Sequence, residues 1–222
     1  TLQDNVRFYF LAGTQHGPGA FPPPPPGNRQ EMGNPTDYWW NMRALLTSLK
    51  DWVVDDVEPP PSRHPRFADG NLVAPAQIAF PAIPDVRSPA DREGGVRAVN
   101  HDLDGGAGGG TALPMFVPQV DADGNEIAGI RHPEVAVPLA TYTGWNFTNP
   151  DNGDPNTLVS LAGSYIPFPA TRAQRERTRD PRRSIEERYD SRDDFLTRIE
   201  SAGQELVGDR YLLEADLPAI LE

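Results

Sequence analysis

The chain has 222 residues, of which 37% are hydrophobic; it carries a net charge of −12 and contains no cysteine. That acidity repels a phosphate backbone and disfavours nucleic-acid binding, and no apolar run approaches the ~20 residues a membrane helix needs. Without cysteine there are no disulfides, thiolate nucleophiles or Cys-based metal sites, although the compartment stays open.

Proline and glycine, 25 and 20 residues, together occur at nearly twice their average usage of about 12%, so much of the backbone must be loop. The 4 Trp, 9 Phe and 6 Tyr exceed what a disordered tail carries. An ordered but loop-rich chain is expected.

Residues 6–11, Val-Arg-Phe-Tyr-Phe-Leu, form an apolar run ended by Gly13. Such a run predicts a strand buried on both faces, as in a parallel sheet covered by helices. Thr14, Gln15, His16 and Gly17 follow in the loop at its carboxyl end, where open α/β sheets place ligand and catalytic groups. The five prolines from Pro22 to Pro26 read as a polyproline II rod, either a docking site for a proline-recognising domain or a strut between strand end and helix. A helix is expected from about residue 36 to 54, with Asn34 or Thr36 as N-cap. Met42, Leu45, Leu49, Trp52 and Val53 have the spacing of a buried stripe. Trp39 and Trp40 in its first turn suit either a pocket lining or packing.

Residues 58–66 form a second proline-stiffened connector, and residues 68–73 a turn into a short strand. A mobile surface loop is expected at residues 105–110, glycine apart from Ala107. Residues 116–130 read as a β-hairpin around Asp123-Gly124. Asp121, Asp123 and Asn125 have the spacing of a calcium loop, but the glycine offset is wrong and the twelfth position is His132, so no metal is expected. Residues 135–146 begin extended and end in Tyr142, Trp145 and small polar residues, a mixture that suits a pocket wall or a packed loop. Ser164 is not a nucleophile elbow, since Ala162 and Ile166 stand where G-x-S-x-G requires glycine. The remainder is helical: a basic polar helix from Thr171, a capping box at Ser184 and Glu187, an amphipathic helix with stripe Phe195, Ile199, Ala202 and Leu206, and a short helix near Leu217. The mixed charge of residues 172–192 reads as a solvated face.

Of the four histidines, His64, His101 and His132 read as surface or loop residues. His16 differs by its place after an apolar strand. A histidine there can serve as general base to a serine and then as acid to the leaving alcohol. It needs a carboxylate to orient it and an oxyanion hole. Strand, His-bearing loop and helix match the last catalytic station of an α/β-hydrolase, whose triad runs Ser, Asp or Glu, then His.

The chain resembles the C-terminal part of the alpha/beta hydrolase domain proteins, found mostly in bacteria. The residues carrying the likeness are Phe8-Tyr9-Phe10-Leu11-Ala12-Gly13-Thr14-Gln15-His16-Gly17, Gly33-Asn34-Pro35 and Val57-Glu58-Pro59-Pro60-Pro61-Ser62-Arg63. They continue in Phe80-Pro81-Ala82-Ile83-Pro84, residues 134–146, Gly163-Ser164-Tyr165-Ile166-Pro167-Phe168 and residues 184–189. The resemblance implies an α/β fold with serine-esterase-like activity and His16 as triad base. One departure is Asp56, where the family pattern more often has glycine; it should affect only the helix exit. The expected fold class is therefore the C-terminal portion of an α/β-hydrolase, with one sheet strand, a small hairpin region and several helices. Residues 1–56 would hold the last strand, His loop and helix, residues 57–170 a loop-rich region, and residues 171–222 a helical segment.

Nucleophile and acid are expected upstream of Thr1 or in a companion chain. The expected substrate is a small ester, with Gln15, Trp39, Tyr142 and Trp145 as candidate lining residues and no cofactor. The other reading is a non-catalytic binding or structural module, with His16 packed and the Tyr142 to Trp145 region recognising a ligand.

Overall fold

Proline and glycine leave few stretches long enough for regular structure, and the computed structural model, which describes residues 3–91 and 113–221, shows where it survives. In chain order come β1 (Met32–Gly33), α1 (Trp39–Asp55), β2 (Leu72–Val73), β3 (Val117–Pro118), α2 (Pro133–Ala136), β4 (Ala140–Thr143), β5 (Ser164–Pro167), α3 (Arg172–Thr178), α4 (Ile185–Arg188), α5 (Arg192–Gly208) and α6 (Leu217–Leu221). Strands β1, β5 and β4 form one antiparallel sheet in that order, with Tyr142 opposite Tyr165; β2 and β3 form another. The content is mixed α/β. The loop expected at residues 105–110, and His101, lie outside the described residues.

The expected central strand is replaced by something looser. Residues 6–11 run extended but meet neighbours only through single parallel bridges, Tyr9 with Arg63 and Leu11 with Ile130. They are half-buried, and Phe8 is 53% exposed. All the ladder bonds fall on one edge. The Phe10 N–H donates to the Arg63 carbonyl (2.9 Å) and the Arg63 N–H to that of Phe8 (2.8 Å). The Ile130 N–H donates to the Phe10 carbonyl (2.7 Å) and the Ala12 N–H to that of Ile130 (2.9 Å). On the other edge, the peptide groups of Arg7 and Tyr9 and the Leu11 N–H make no hydrogen bond among the described residues. The cause lies in the neighbours: prolines at 59–61 cannot donate to a ladder, so the chain around Arg63 touches this segment at a point instead of along a strand.

Helix α1 begins at Trp39, three residues later than expected, with Tyr38 in the N-cap position and no side-chain cap. Asn34 and Asp37 instead accept from the N–H groups of Thr36 (2.9 Å) and Trp39 (3.1 Å), closing short turns ahead of the helix. Its buried residues are Asn41, Ala44 and Ser48. These small or polar groups let the helix approach the C-terminal segment closely, and the Asn41 amide donates to the Tyr211 carbonyl (2.9 Å). The apolar stripe therefore turns outward. Met42, Leu46, Leu49 and Val53 are 41% to 77% exposed, while Leu45 and Trp52 are half-buried. With Val6, Phe8 and Tyr9 this face borders an open groove of about 620 Å³.

Residues 116–130 turn tightly through Gly124 (φ +80°), with one antiparallel bridge between Val120 and Glu126. They do not form a two-stranded hairpin, because β3 pairs with β2 instead. Val135 and Ala136, expected to be extended, belong to α2, which proline opens at its first position. The polyproline run is held as a strut: its carbonyls accept from the Gly33 N–H (2.8 Å) and the Arg29 guanidinium.

The C-terminal expectations hold. Ser184 and Glu187 form the capping box, and the Ser184 backbone and hydroxyl hold the Glu187 carboxylate at about 2. Thr171 and Ser191 cap α3 and α5. Along α5, Ile199 and Leu206 are buried; Leu206 joins Ile130, Tyr211, Leu212 and Leu217 in the larger core cluster. Each such side chain contributes about 1.5–3 kcal/mol. The charged stretch is solvated except for one buried pair, Asp180 and Arg182. Arg182 is 2% exposed and donates to Asp180 (2.7 Å), Thr141 (2.9 Å) and the carbonyls of Ile166 (2.9 Å) and Pro167 (3.1 Å). A guanidinium so fully bonded can be buried where an unpaired one could not.

Helix α1 exits through Asp56 in the left-handed conformation, φ 57°. Glycine occupies such a position without the steric cost of a Cβ. Asp56→Gly is expected to stabilise the chain by about 0.5–1 kcal/mol, read as a higher urea midpoint at unchanged slope. A lower midpoint would contradict this account of the helix exit.

Candidate functional site

The loop after the extended segment is fastened from several directions. Gly13 has φ +66°, which suits glycine, and a Cβ there would lie 3.2 Å from both Val135 methyls and 3.3 Å from Tyr142 Cβ. Both its polar groups are engaged: its N–H donates to Glu126 Oε2 (2.7 Å), and its carbonyl accepts from Asn34 Nδ2 (2.6 Å). Asn34, wholly buried, donates also to the Thr143 carbonyl (2.9 Å), so the loop is tied to the end of β4. The Gln15 amide oxygen accepts from the Gly163 N–H (2.8 Å). At Gly163 a Cβ would fall 2.2 Å from the Thr143 carbonyl oxygen, so only glycine lets these segments meet.

On this platform His16 is exposed. Its carbonyl accepts from the Tyr38 hydroxyl (2.5 Å), while its ring makes no hydrogen bond among the described residues. Backbone held and side chain free is how a loop presents a group to something outside itself.

The other candidate residues are distributed around the platform. Gln15 serves the tie to Gly163. Trp39 stands 55% exposed in the first turn of α1, next to Tyr38. Tyr142 is buried under the loop, its ring edge-on to Tyr165 at 5.4 Å between centroids, and burial raises its phenol well above the usual value. Trp145 packs between Phe80 (5.5 Å) and Phe147 (5.6 Å). Tyr142 and Trp145 share a cavity of only about 70 Å³ with Phe80 and Glu126. Ser164 is buried and donates its hydroxyl to the Trp145 carbonyl (2.6 Å). Among the described residues no group of three His, Asp or Glu side chains is arranged to hold a metal, and no helix is long and apolar enough to cross a membrane.

The family comparison covers the site and nearly everything around it: the family model described as "Alpha/beta hydrolase domain" matches residues 2–222. The chain is an alpha/beta hydrolase domain protein. Membership points to hydrolase activity in general. No curated protein and no solved structure matches the chain.

Three groups in this alpha/beta hydrolase domain escaped sequence reasoning. Burial pushes the Glu126 carboxyl up to about 7, against the opposing pull of the Gly13 N–H. Glu134 is also raised to about 7, by burial and by Asp37. His132, expected at the surface, is 2% exposed, with neither ring nitrogen hydrogen-bonded among the described residues. Its Nδ1 lies 3.7 Å from Glu134 Oε1, too far for a hydrogen bond. Nothing in the sequence marks their burial, which only tertiary packing creates.

Burial lowers His132 from 6.5 to about 4. The folded chain thus prefers the neutral ring, and the associated stability is fully present above about 6.5 and drains as pH falls towards 4, by roughly 3 kcal/mol. Glu126 acts in the opposite sense: its raised value favours the fold below about 4.5 and loses that effect as pH rises through 7. Replacing His132 by leucine removes two unpaired nitrogens and should raise stability by about 1–3 kcal/mol at pH 7. In denaturant titrations the gap between His132→Leu and wild type is expected to widen as pH falls from 6.5 to 4. A gap independent of pH would show that His132 does not carry this titration.

Proposed function

We propose that this chain is the base-bearing part of a serine hydrolase acting on carboxylic esters, with His16 as the general base. The observation that carries the reading is an exposed His16 ring on a loop whose backbone is fastened at Gly13, Gln15 and His16 itself. In this mechanism His16 takes the proton of a serine hydroxyl as the oxygen attacks the ester carbonyl. A carboxylate holds the other ring nitrogen and stabilises the imidazolium, which then protonates the leaving alcohol. The serine, the carboxylate and the oxyanion donors come from a preceding portion of the hydrolase or from a companion chain.

The unpaired edge of residues 7–11 supports that arrangement. Free N–H and C=O groups in a row are a template for another strand, and they adjoin the exposed apolar face of α1. A contiguous apolar surface of this kind marks an interaction site. On this reading, Phe8, Met42, Leu46 and Leu49 are covered by the remainder of the sheet and its helices. A non-catalytic module that recognises a ligand through Tyr142 and Trp145 draws less support, since one ring is buried and the other is engaged in edge-on contacts with Phe80 and Phe147.

The isolated 222-residue chain is expected to hydrolyse an activated ester such as p-nitrophenyl acetate no faster than buffer. In the complete hydrolase, His16→Ala should lower kcat by about 10⁴-fold or more, as triad members fail together. The exposed loop should leave the folded state nearly intact. His64→Ala should change kcat little. Activity retained by His16→Ala, or robust turnover by the chain alone, would overturn the assignment.

A further inference from the structure

Glu126 and Asn34 hold opposite faces of one peptide-bearing residue, three positions before His16. Glu126 reaches Gly13 across 113 residues of chain and takes its N–H at 2.7 Å. Asn34, from 21 residues away, gives its amide to the Gly13 carbonyl at 2.6 Å. Each is itself fixed. Glu126 bridges to Val120, and its neighbour Ile127 donates to the Gln119 carbonyl (3.1 Å). Asn34 is locked by Thr143 and by the Thr36 N–H.

The Glu126 carboxyl has no cation beside it among the described residues. Glu126 is half-buried, and among the described residues the one hydrogen bond its carboxylate accepts comes from the Gly13 N–H. Backbone polar groups in a turn are ordinarily satisfied by water or neighbouring peptides. Here both are satisfied by side chains from two separate segments, next to a histidine whose own ring is left free.

We infer that Glu126 and Asn34 are positioning residues for His16, clamping Gly13 in its left-handed turn so that the loop delivers the imidazole at a fixed place. The inference rests on the reading of His16 as the base, and it names the groups that act through the loop on that base. Neither residue touches the reacting atoms. Their effect is geometric, and a displacement of about 1 Å at a catalytic group can cost about 10²-fold in rate.

The test uses Glu126→Met, which keeps length and removes the acceptor, and Glu126→Gln, which keeps an acceptor oxygen. In the 222-residue chain, amide hydrogen exchange should show Gly13 protected in wild type and Glu126→Gln and unprotected in Glu126→Met. The backbone order parameter of His16 should fall from about 0.85 to below about 0.6 in Glu126→Met alone. In the complete hydrolase, Glu126→Met should lower kcat by about 10²-fold at nearly unchanged KM, with Glu126→Gln restoring most of it. Asn34→Ala removes the opposite grip and should give the same split, so a folding defect in one variant leaves the other to decide. If Gly13 stays protected, or His16 stays ordered, in a folded Glu126→Met chain, the clamp is wrong. If both variants keep full kcat while His16→Ala is inactive, the clamp is wrong and the base assignment survives. If His16→Ala is itself fully active, the functional reading falls first.

Discussion

Asn34, Asn41, Asn125 and Asn146 are almost wholly buried, and each directs its side-chain amide at backbone groups from distant parts of the chain. Asn34 joins Gly13 to Thr143, and Asn41 joins α1 to Tyr211. Asn125 donates to the Ala140 carbonyl (3.1 Å) and accepts from the Tyr142 N–H (2.8 Å). Asn146 brackets Glu31 on both its N–H (3.2 Å) and its carbonyl (3.1 Å) and reaches Gly163 (3.0 Å). A chain this rich in proline has too few N–H donors and too few long strands to satisfy its own interior peptides by ladders. Buried polar backbone must still be paired. Amides carried on short, stiff side chains meet that requirement, since each offers both donor and acceptor.

The same constraint governs where charge is tolerated. Arg182 is buried because Asp180, Thr141 and two β5 carbonyls occupy its donors. His132 is enclosed and Glu126 and Glu134 are half-buried, none with an opposite charge to match those of Arg182, and in each burial drives the group towards its neutral form. Glu126 accepts from Gly13, and the charge of Asp37, ahead of α1, adds to the rise of Glu134.

Local signals were legible where they are complete within a few residues. The capping box at Ser184 and Glu187, the Thr171 cap, the α5 stripe and the turn at Gly124 depend on neighbours three or four positions apart, and the structure has them all. His16 stands out in the sequence by its position after an apolar run and before a helix, and the structure leaves it exposed. Two strong patterns misled. The run at residues 6–11 and the stripe from Met42 to Val53 have the periodicity of buried elements, yet each is only partly covered: Tyr9, Leu11 and Leu45 pack against the core, while Phe8, Met42, Leu49 and Val53 are exposed. Periodicity reports that a face is apolar; what covers that face is a separate matter.

Sequence alone determined the family through motifs spread over residues 8–189 and the loop-rich character through proline and glycine. Only the tertiary structure decided that Glu126 and Asn34 share Gly13, that His132 is enclosed, and that α1 packs through Asn41, Ala44 and Ser48. The physical reason is range. A cap or a stripe is set by bonds and rises along a few residues, whereas a hydrogen bond spanning 113 residues exists only once packing has brought its two ends together.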